Sequence, residues 1–356
     1  MRTLQTLRFV FCMLIFLCHY SSNTSMANFD YGGDAGVTFF FMLSGFVLSY
    51  GYGGRVSADG FSYGGFLRRR LVKLYPLHFV TFWIALALSL MAGGRFDVLK
   101  TALHLLMLQE FTMSKNMMDY GTGVSWFLGT LLFCYALFPP VYRCLAASGK
   151  KLKAALVAVV VYTAVCLFAV SRFDDSAIDG YMYAFPPLRI VDFTLGMLLC
   201  KLCQTPLADR ISSWRKSLPA ASVGVCDVAV LSLVMLPFLF YGSLPSWVRF
   251  APYLWLPFAV LIYWFAVADG AGCGIVPRML RHRLPVSLGG ISFEIYMLHV
   301  IVITLCNFVW GRLFGYDTIP NMAHLCLCLL ASWLAARVFC VYTAESKKFL
   351  QEKFRL

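Results

Sequence analysis

LQTLRFVFCMLIFLCHY, residues 4–20, is apolar enough to enter a lipid bilayer, yet it contains Arg8 and His19. The two residues are eleven positions apart, which on an α-helix is within about 20° of three whole turns and spans ~16 Å. Both side chains therefore leave the same face of the helix. Ionisable groups inside a membrane helix are costly, so they face the protein interior and mark functional sites. We expect Arg8 and His19 to belong to such a site.

The same stretch also has the outline of a secretory signal peptide. A basic start and an apolar middle precede Ser25-Met26-Ala27, which could serve as a cleavage site. A histidine within the apolar run suits a signal peptide poorly, and the alternation of loops described below needs this helix. We therefore interpret it as the first membrane span.

The composition indicates an integral membrane protein. Of the 356 residues, 60% are hydrophobic and 13% are charged, whereas a soluble domain has ~25% charged residues. The thirteen cysteines lie mostly in apolar runs. Cys200 and Cys203 form a single CxxC pair, and a zinc site would need a second pair. We expect no disulfide framework and no metal.

Ten apolar segments predict an all-α, polytopic membrane protein with about ten transmembrane helices. With the N-terminus placed in the cytoplasm, the inside segments carry 21 Lys and Arg residues and the outside segments carry six, as the positive-inside rule requires. Both termini are then cytoplasmic. The net charge of +13 mostly reflects this topology, so we expect no nucleic-acid partner. The predicted spans lie near 4–20, 36–52, 76–92, 123–142, 154–171, 185–202, 219–241, 251–268, 286–309 and 320–342.

We find no internal repeat, no P-loop and no dinucleotide-binding glycine motif, and we expect residues 1–356 to form a single membrane domain without a fused soluble domain. Leu99 to Phe111 is too short to span a membrane comfortably, so we expect an interfacial or re-entrant helix there. Ser44-Gly45 in the second span is a small pair that would allow close helix approach.

A basic stretch, FLRRRLVKLYPLH at residues 66–78, precedes the predicted third span, with Pro76 expected in the first turn of that helix. Four cations within six residues have two interpretations. They could attract the anionic headgroups of membrane lipid. They could equally hold phosphate, because Arg forms bidentate bonds to phosphate oxygens.

The ninth span contains a second polar cluster. Ser292, Tyr296 and His299 fall on one helix face, while Glu294 points about 140° away from His299. In the sixth span, Arg189 and Asp192 are three residues apart and are predicted to form a structural ion pair. His324, near the outer end of the tenth span, is expected to be a solvated interface histidine.

These residues allow two kinds of chemistry. A histidine that titrates near neutral pH could act as general base in an acyl transfer. His19, Glu294 and His299 could instead relay protons in a proton-coupled transporter. The residues alone favour the transporter slightly.

The sequence as a whole resembles the acyltransferase 3 family of membrane acyltransferases. The likeness covers nearly the whole chain and follows the family's order of motifs. They are Arg8 with His19, GVTFFFMLSGFVLSY at 36–50, FLRRRLVKLYPLH at 66–78, SWFLGTLLFCYALFP at 125–139, RIVDFTLGMLL at 189–199 and LGGISFEIYMLH at 288–299.

Two positions depart from the family pattern. The family's basic motif ends in a second Arg, and Lys73 stands there, which keeps the charge and loses the bidentate fork. Family members often carry a Glu after the Ser-Trp motif, where this chain has Leu131.

The resemblance implies an enzyme of the cell (inner) membrane that moves an acyl group, commonly acetyl, from cytoplasmic acyl-CoA to a hydroxyl of a carbohydrate acceptor. That acceptor would be a surface polysaccharide, a lipid-linked glycan or a glycosylated small molecule. His19 would be the general base, with Arg8 as its partner or as a binding group. The donor, acyl-CoA (acetyl-CoA), would be held by Arg69, Arg70, Lys73 and Tyr75. Substrate would be lined by Ser125, Trp126, Glu294, Tyr296 and His299.

Overall fold

The computed structural model describes residues 1–24, 33–180, 182–249, 252–315 and 321–353, and within these ranges the chain forms helices and no β-strand. Three 3₁₀ segments, Gln109–Thr112, Met182–Ala184 and Leu236–Ser243, connect some of the α-helices. In chain order the α-helices are α1 (Arg2–Thr24), α2 (Gly33–Ser57), α3 (Tyr63–Met91), α4 (Val98–Leu105), α5 (Lys115–Met118), α6 (Trp126–Ala146), α7 (Gly149–Val170), α8 (Asp175–Gly180), α9 (Pro186–Leu202), α10 (Pro206–Ser217), α11 (Ala220–Met235), α12 (Ser246–Arg249), α13 (Pro252–Ala271), α14 (Ile275–Leu280), α15 (Arg283–Gly290), α16 (Ser292–Phe314) and α17 (Met322–Lys353).

The predicted all-α, polytopic membrane architecture is confirmed. In the described ranges, nine helical segments are long and apolar enough to cross a membrane, and α9 with α10 adds a tenth if that pair, bent by 67°, is one span. Each of these segments overlaps one of the ten predicted spans. The cytoplasmic placement of the two termini stays a prediction.

Helix α1 lies inside the bundle. It packs against α2, α13, α15 and α16, and its buried residues include Leu4, Leu7, Phe11 and Ile15. This spacing of three and four positions gives one continuous apolar face. Because α1 contributes to two hydrophobic clusters of the core, it is an integral part of the fold rather than a peripheral segment.

Helices α2 and α9 pack with their backbones in contact. A Cβ atom on Gly45 would collide with the carbonyl of Phe193, and one on Gly196 would collide with the carbonyl of Met42. Glycine at both positions lets the two backbones touch, as small residues do in membrane bundles. The expectation of close approach at Ser44-Gly45 is confirmed for Gly45.

The prediction that Pro76 begins a helix is wrong. Helix α3 begins at Tyr63, thirteen residues earlier, after Ser62, whose hydroxyl accepts the backbone N–H of Gly65. This cap favours helix formation upstream of the proline. A proline inside a helix removes one backbone hydrogen bond, and α3 continues through it. The basic stretch is therefore helical, and Arg69 and Lys73, four residues apart, share one face of α3.

The expectation of a single helix from Leu99 to Phe111 is wrong. Helix α4 ends at Leu105, and the chain turns at Met107 and Met113, which have φ of 55° and 50°. The segment is held by histidines: His78 Nε2 donates to the carbonyl of His104 at 2.7 Å, and His104 Nε2 donates to the carbonyl of Met117 at 2.8 Å. It packs on α3 and is not among the spanning helices.

The described residues contain two fully buried ion pairs, one within α9 and one between α10 and α11. The predicted pair is confirmed: Arg189 Nη1 lies 2.9 Å from Asp192 Oδ2, and both side chains are almost fully buried. Trp255 of α13 donates its indole N–H to the same carboxylate, at 2.5 Å. The second pair links Arg215 of α10 to Asp227 of α11 at 2.9 Å. Both pairs satisfy charges that would be costly near lipid.

Candidate active site

Two histidines from opposite ends of the sequence meet inside the bundle. His19 Nδ1 on α1 lies 2.7 Å from His299 Nε2 on α16. His299 is 1% exposed, and its Nδ1 lies 2.5 Å from the carbonyl oxygen of Tyr296, one turn earlier on α16. The phenol of Tyr296 donates to the carbonyl of Val124 at 3.0 Å. The family resemblance implied that His299 lines the substrate path, and the structure brings it into direct contact with His19.

A cavity of about 60 Å³ lies on the N-terminal side of the histidine pair along α1, between α1, α2, α3, α6 and α16. Arg8 and Lys73 line it together with Tyr296. The lining also includes Ile15, which is one helical turn before His19. The cavity thus connects the two cations with the neighbourhood of the histidine pair. Its remaining lining residues are Val37, Phe40, Ser44, Leu74, Phe127, Leu131, Tyr135, Ser292 and Phe293.

Arg8 belongs to the cavity and not to His19. Its Nη1 donates to Gln5 Oε1 at 3.5 Å, and the carboxylate of Glu294 and the ring hydroxyl of Tyr135 are within electrostatic range. Along the helix it is ~16 Å from His19. Of the two roles that the resemblance implied for Arg8, the geometry favours the binding group. Glu294, 7% exposed, accompanies Arg8 rather than His299.

The predicted donor-binding residues on α3 have different surroundings. Lys73 lines the cavity. The guanidinium of Arg70 packs against aromatic rings, 4.4 Å from the ring centre of Tyr52 and 5.6 Å from that of Tyr135. Arg69 has a buried Nε that no hydrogen-bond acceptor in the described residues reaches. Tyr75 packs beside His78, outside the cavity lining.

Ser125 and Trp126 are both buried. Ser125 Oγ accepts a long hydrogen bond of 3.5 Å from the amide of Gln109. Trp126 packs edge-on against Tyr183 at 5.0 Å, so its ring is packed inside the protein. The neighbouring Phe127, which sequence reasoning did not single out, lines the cavity and packs against Tyr296 at 5.3 Å.

The expectation of a solvated His324 is wrong. Its side chain is 0% exposed, and its Nδ1 lies 2.9 Å from the hydroxyl of Tyr20 on α1. The ring of Trp310 covers it at 5.0 Å. Its position near a span end gave no sign of this burial, because the covering residues come from α1 and α16.

A buried carboxyl, Glu110, was also missed. It sits in the 3₁₀ turn that follows α4, is 0% exposed, and presses against Gly129 of α6, where a Cβ atom would collide with its oxygens. Burial raises the pKa of Glu110 to about 8, so this carboxyl is protonated at neutral pH. The residues that the structure describes contain no cluster of three or more His, Cys, Asp or Glu side chains suited to a metal.

Comparisons with known proteins agree with the sequence resemblance. The chain is 28% identical over 366 aligned positions to acyltransferase MdmB of Streptomyces mycarofaciens, an alignment that covers 94% of this chain and 88% of that protein. No solved structure matches the chain. The family model for the acyltransferase domain Acyl_transf_3 matches residues 2–341. A bundle of membrane helices that matches this model over nearly its whole length belongs to the acyltransferase 3 family, and the protein is a multi-pass membrane enzyme that transfers acyl groups.

Proposed function

We propose that the protein moves an acetyl group from cytoplasmic acetyl-CoA to a sugar hydroxyl. The sugar belongs to a surface polysaccharide, a lipid-linked glycan or a glycosylated small molecule. His19 is the general base. The observation that carries this proposal is one cavity with two cations in its lining, Arg8 on α1 and Lys73 on α3, and with the histidine pair beyond its other end.

The reaction follows from ordinary acid–base chemistry. The imidazole of His19 takes the proton of the acceptor hydroxyl while its oxygen attacks the thioester carbonyl. The carbon–sulfur bond of the resulting tetrahedral intermediate then breaks. The imidazolium returns the proton to the departing sulfur, which leaves as the CoA thiol. An ester forms, a thioester is lost, and no oxidant or reductant is needed.

Arg8 and Lys73 would hold the donor, because cationic side chains form strong hydrogen bonds to phosphate oxygens. With the predicted topology they lie toward the cytoplasm and His19 lies toward the outer face. The donor's acyl end would then run along the cavity toward His19. A cavity of about 60 Å³ is far below the ~300 Å³ of an ordinary ligand pocket, so side chains such as Phe127 must move to admit the thioester.

The experiment uses the purified protein in vesicles with acetyl-CoA as donor and a panel of alkyl glycosides as acceptors. We expect His19→Ala to lower CoA release ~10²–10⁴-fold, the usual contribution of general-base catalysis. His282→Ala is the matched control, because His282 is an exposed histidine outside the cavity lining. Full activity of His19→Ala would refute the base assignment.

Two further arms separate the alternatives. In oriented vesicles, acetyl-CoA should be used from the side that carries Lys73, and use from the opposite side alone would refute the cytoplasmic donor. A proton-coupled transporter should instead move glycoside across the membrane when acyl-CoA is absent. The position of Glu294 beside Arg8 favours the enzyme, because a relay through His19, His299 and Glu294 would need the carboxylate at the histidine pair.

A further inference from the structure

The hydrogen bonds around His299 fix which nitrogen of each ring carries a proton. The carbonyl of Tyr296 can only accept, so His299 Nδ1, 2.5 Å away, must donate. A neutral imidazole has one donor and one acceptor nitrogen, so His299 Nε2 accepts. His19 Nδ1, 2.7 Å from it, must therefore donate. In neutral His19 the lone pair is then on Nε2.

We propose that His299 is a positioning residue: its imidazole holds His19 in the tautomer whose Nε2 takes the proton of the acceptor hydroxyl. This inference rests on the proposed role of His19 as base. It assigns His299 a different task from the substrate lining that the family resemblance implied, because its two ring nitrogens are occupied by Tyr296 and His19.

Two contacts between α1 and α16 hold the histidine pair in place, one before His19 along α1 and one after it. On one side, Cys12 Sγ lies 3.3 Å from the carbonyl of Ser292. On the other, Asn307 Nδ2 donates to the carbonyl of Asn23 at 3.0 Å. These contacts fix the register of the two helices, and so the distance between the imidazoles.

The orienting carbonyl is itself fixed. It belongs to Tyr296, whose ring is anchored by its hydrogen bond to the carbonyl of Val124, two residues before α6. The ring of Phe16 packs against His299 at 5.9 Å, which limits rotation of the imidazole. A base oriented by a second group, which is oriented in turn by a backbone carbonyl, follows the general logic of catalytic histidines.

The pair also carries the charge that forms during the reaction. When Nε2 of His19 takes a proton, Nδ1–H becomes the donor of a cation, and charge-assisted hydrogen bonds are roughly twice as strong as neutral ones. His299 Nε2 accepts that stronger bond. His299 therefore stabilises the imidazolium without touching either substrate.

The test compares His299→Phe, which keeps a flat ring without nitrogen, with His299→Gln, whose side-chain oxygen can still accept from His19. In the vesicle assay with acetyl-CoA and alkyl glycosides, we expect His299→Phe to lower kcat ~10–100-fold, the usual effect of losing an orienting partner. The KM for acetyl-CoA should not change. His299→Gln should recover part of the loss.

A double variant separates this role from a merely structural one. If His299 acts through His19, then His19→Ala with His299→Phe should be no slower than His19→Ala alone, because the two act as one unit. Multiplied losses, a raised KM with kcat unchanged, or wild-type kcat in His299→Phe would overturn the inference. If the melting temperature shows that His299→Phe does not fold, His299→Gln replaces it. The kcat of His299→Gln is then compared with that of the wild type, and the kcat of His19→Ala with His299→Gln is compared with that of His19→Ala alone.

The outcome is distinguishable from failure of the proposed function. An inactive His19→Ala beside a fully active His299→Phe would remove the positioning role and leave the general base in place. An active His19→Ala would remove both.

Discussion

At the scale of single residues, the two ionisable groups of α1 have separate tasks. His19 meets His299, whereas Arg8 lines the cavity with Lys73. Their eleven-residue spacing puts them on one helix face, ~16 Å apart. One helix thus presents a cation to one end of the cavity and an imidazole beyond the other.

Glu110 gives a residue-scale prediction about pH. Its pKa in the folded protein, about 8, is above the ordinary 4.5 because the carboxyl is buried. The folded state therefore holds the proton more tightly than the unfolded state. Its contribution to stability is complete below pH 4.5 and is lost as pH rises to about 8.

We expect the melting temperature of the wild type in detergent to fall between pH 6.5 and 9 more than that of Glu110→Gln, since the amide keeps the shape of the protonated acid and cannot ionise. The range starts at about pH 6.5 so that the nearby His104 does not contribute. Burial lowers the pKa of His104 to about 4, and above the ordinary histidine pKa of about 6.5 its side chain is neutral in both the folded and the unfolded state. Parallel curves for the two proteins would contradict the prediction.

At the scale of elements, the contact of α2 with α9 depends on the absence of side chains. We expect Gly45→Ala to lower the melting temperature, because its Cβ would collide with the backbone of Phe193 and neither helix can yield without moving the core. Overpacking of this kind costs about 1–3 kcal/mol.

Gly51→Ala is the matched control. It lies on the same helix and has no atom within 4 Å of the added Cβ, so it should leave the melting temperature unchanged or raise it slightly, since alanine favours helix. Equal melting temperatures for the two variants would show that the α2–α9 contact tolerates a wider spacing.

At the scale of the whole molecule, the basic residues predict which side of the membrane each loop occupies. The loop between α6 and α7 should be cytoplasmic and the residues after α7 should be outside, because Lys150, Lys151 and Lys153 cluster at the start of α7.

Cysteines introduced at the two ends of α7 test this orientation in a background in which the thirteen native cysteines are replaced by serine or alanine. In intact cells, a membrane-impermeant thiol reagent should label Ser171→Cys and leave Ser148→Cys unlabelled until the cells are broken. The reverse pattern would invert the predicted topology, and with it the side from which the donor arrives.

The sequence by itself determined the class and the spans. Hydrophobic length is a local property, so ten apolar segments were readable without tertiary information, and the order of motifs was enough to indicate the acyltransferase 3 family. The pairing of Arg189 with Asp192 was also local, because residues three apart on a helix are neighbours. Where local signals competed, as at Pro76, the cap at Ser62 was the stronger and the predicted helix start was wrong.

Only the tertiary structure decided what each polar residue touches. His19 and His299 are 280 positions apart in sequence, and no periodicity within α1 or α16 reveals which faces meet. The same holds for His324 against Tyr20 and for Glu110 against Gly129. A helix pattern gives a direction for each side chain, but its partner depends on how whole helices pack, and that packing is set by shape across the bundle rather than by neighbours in the chain.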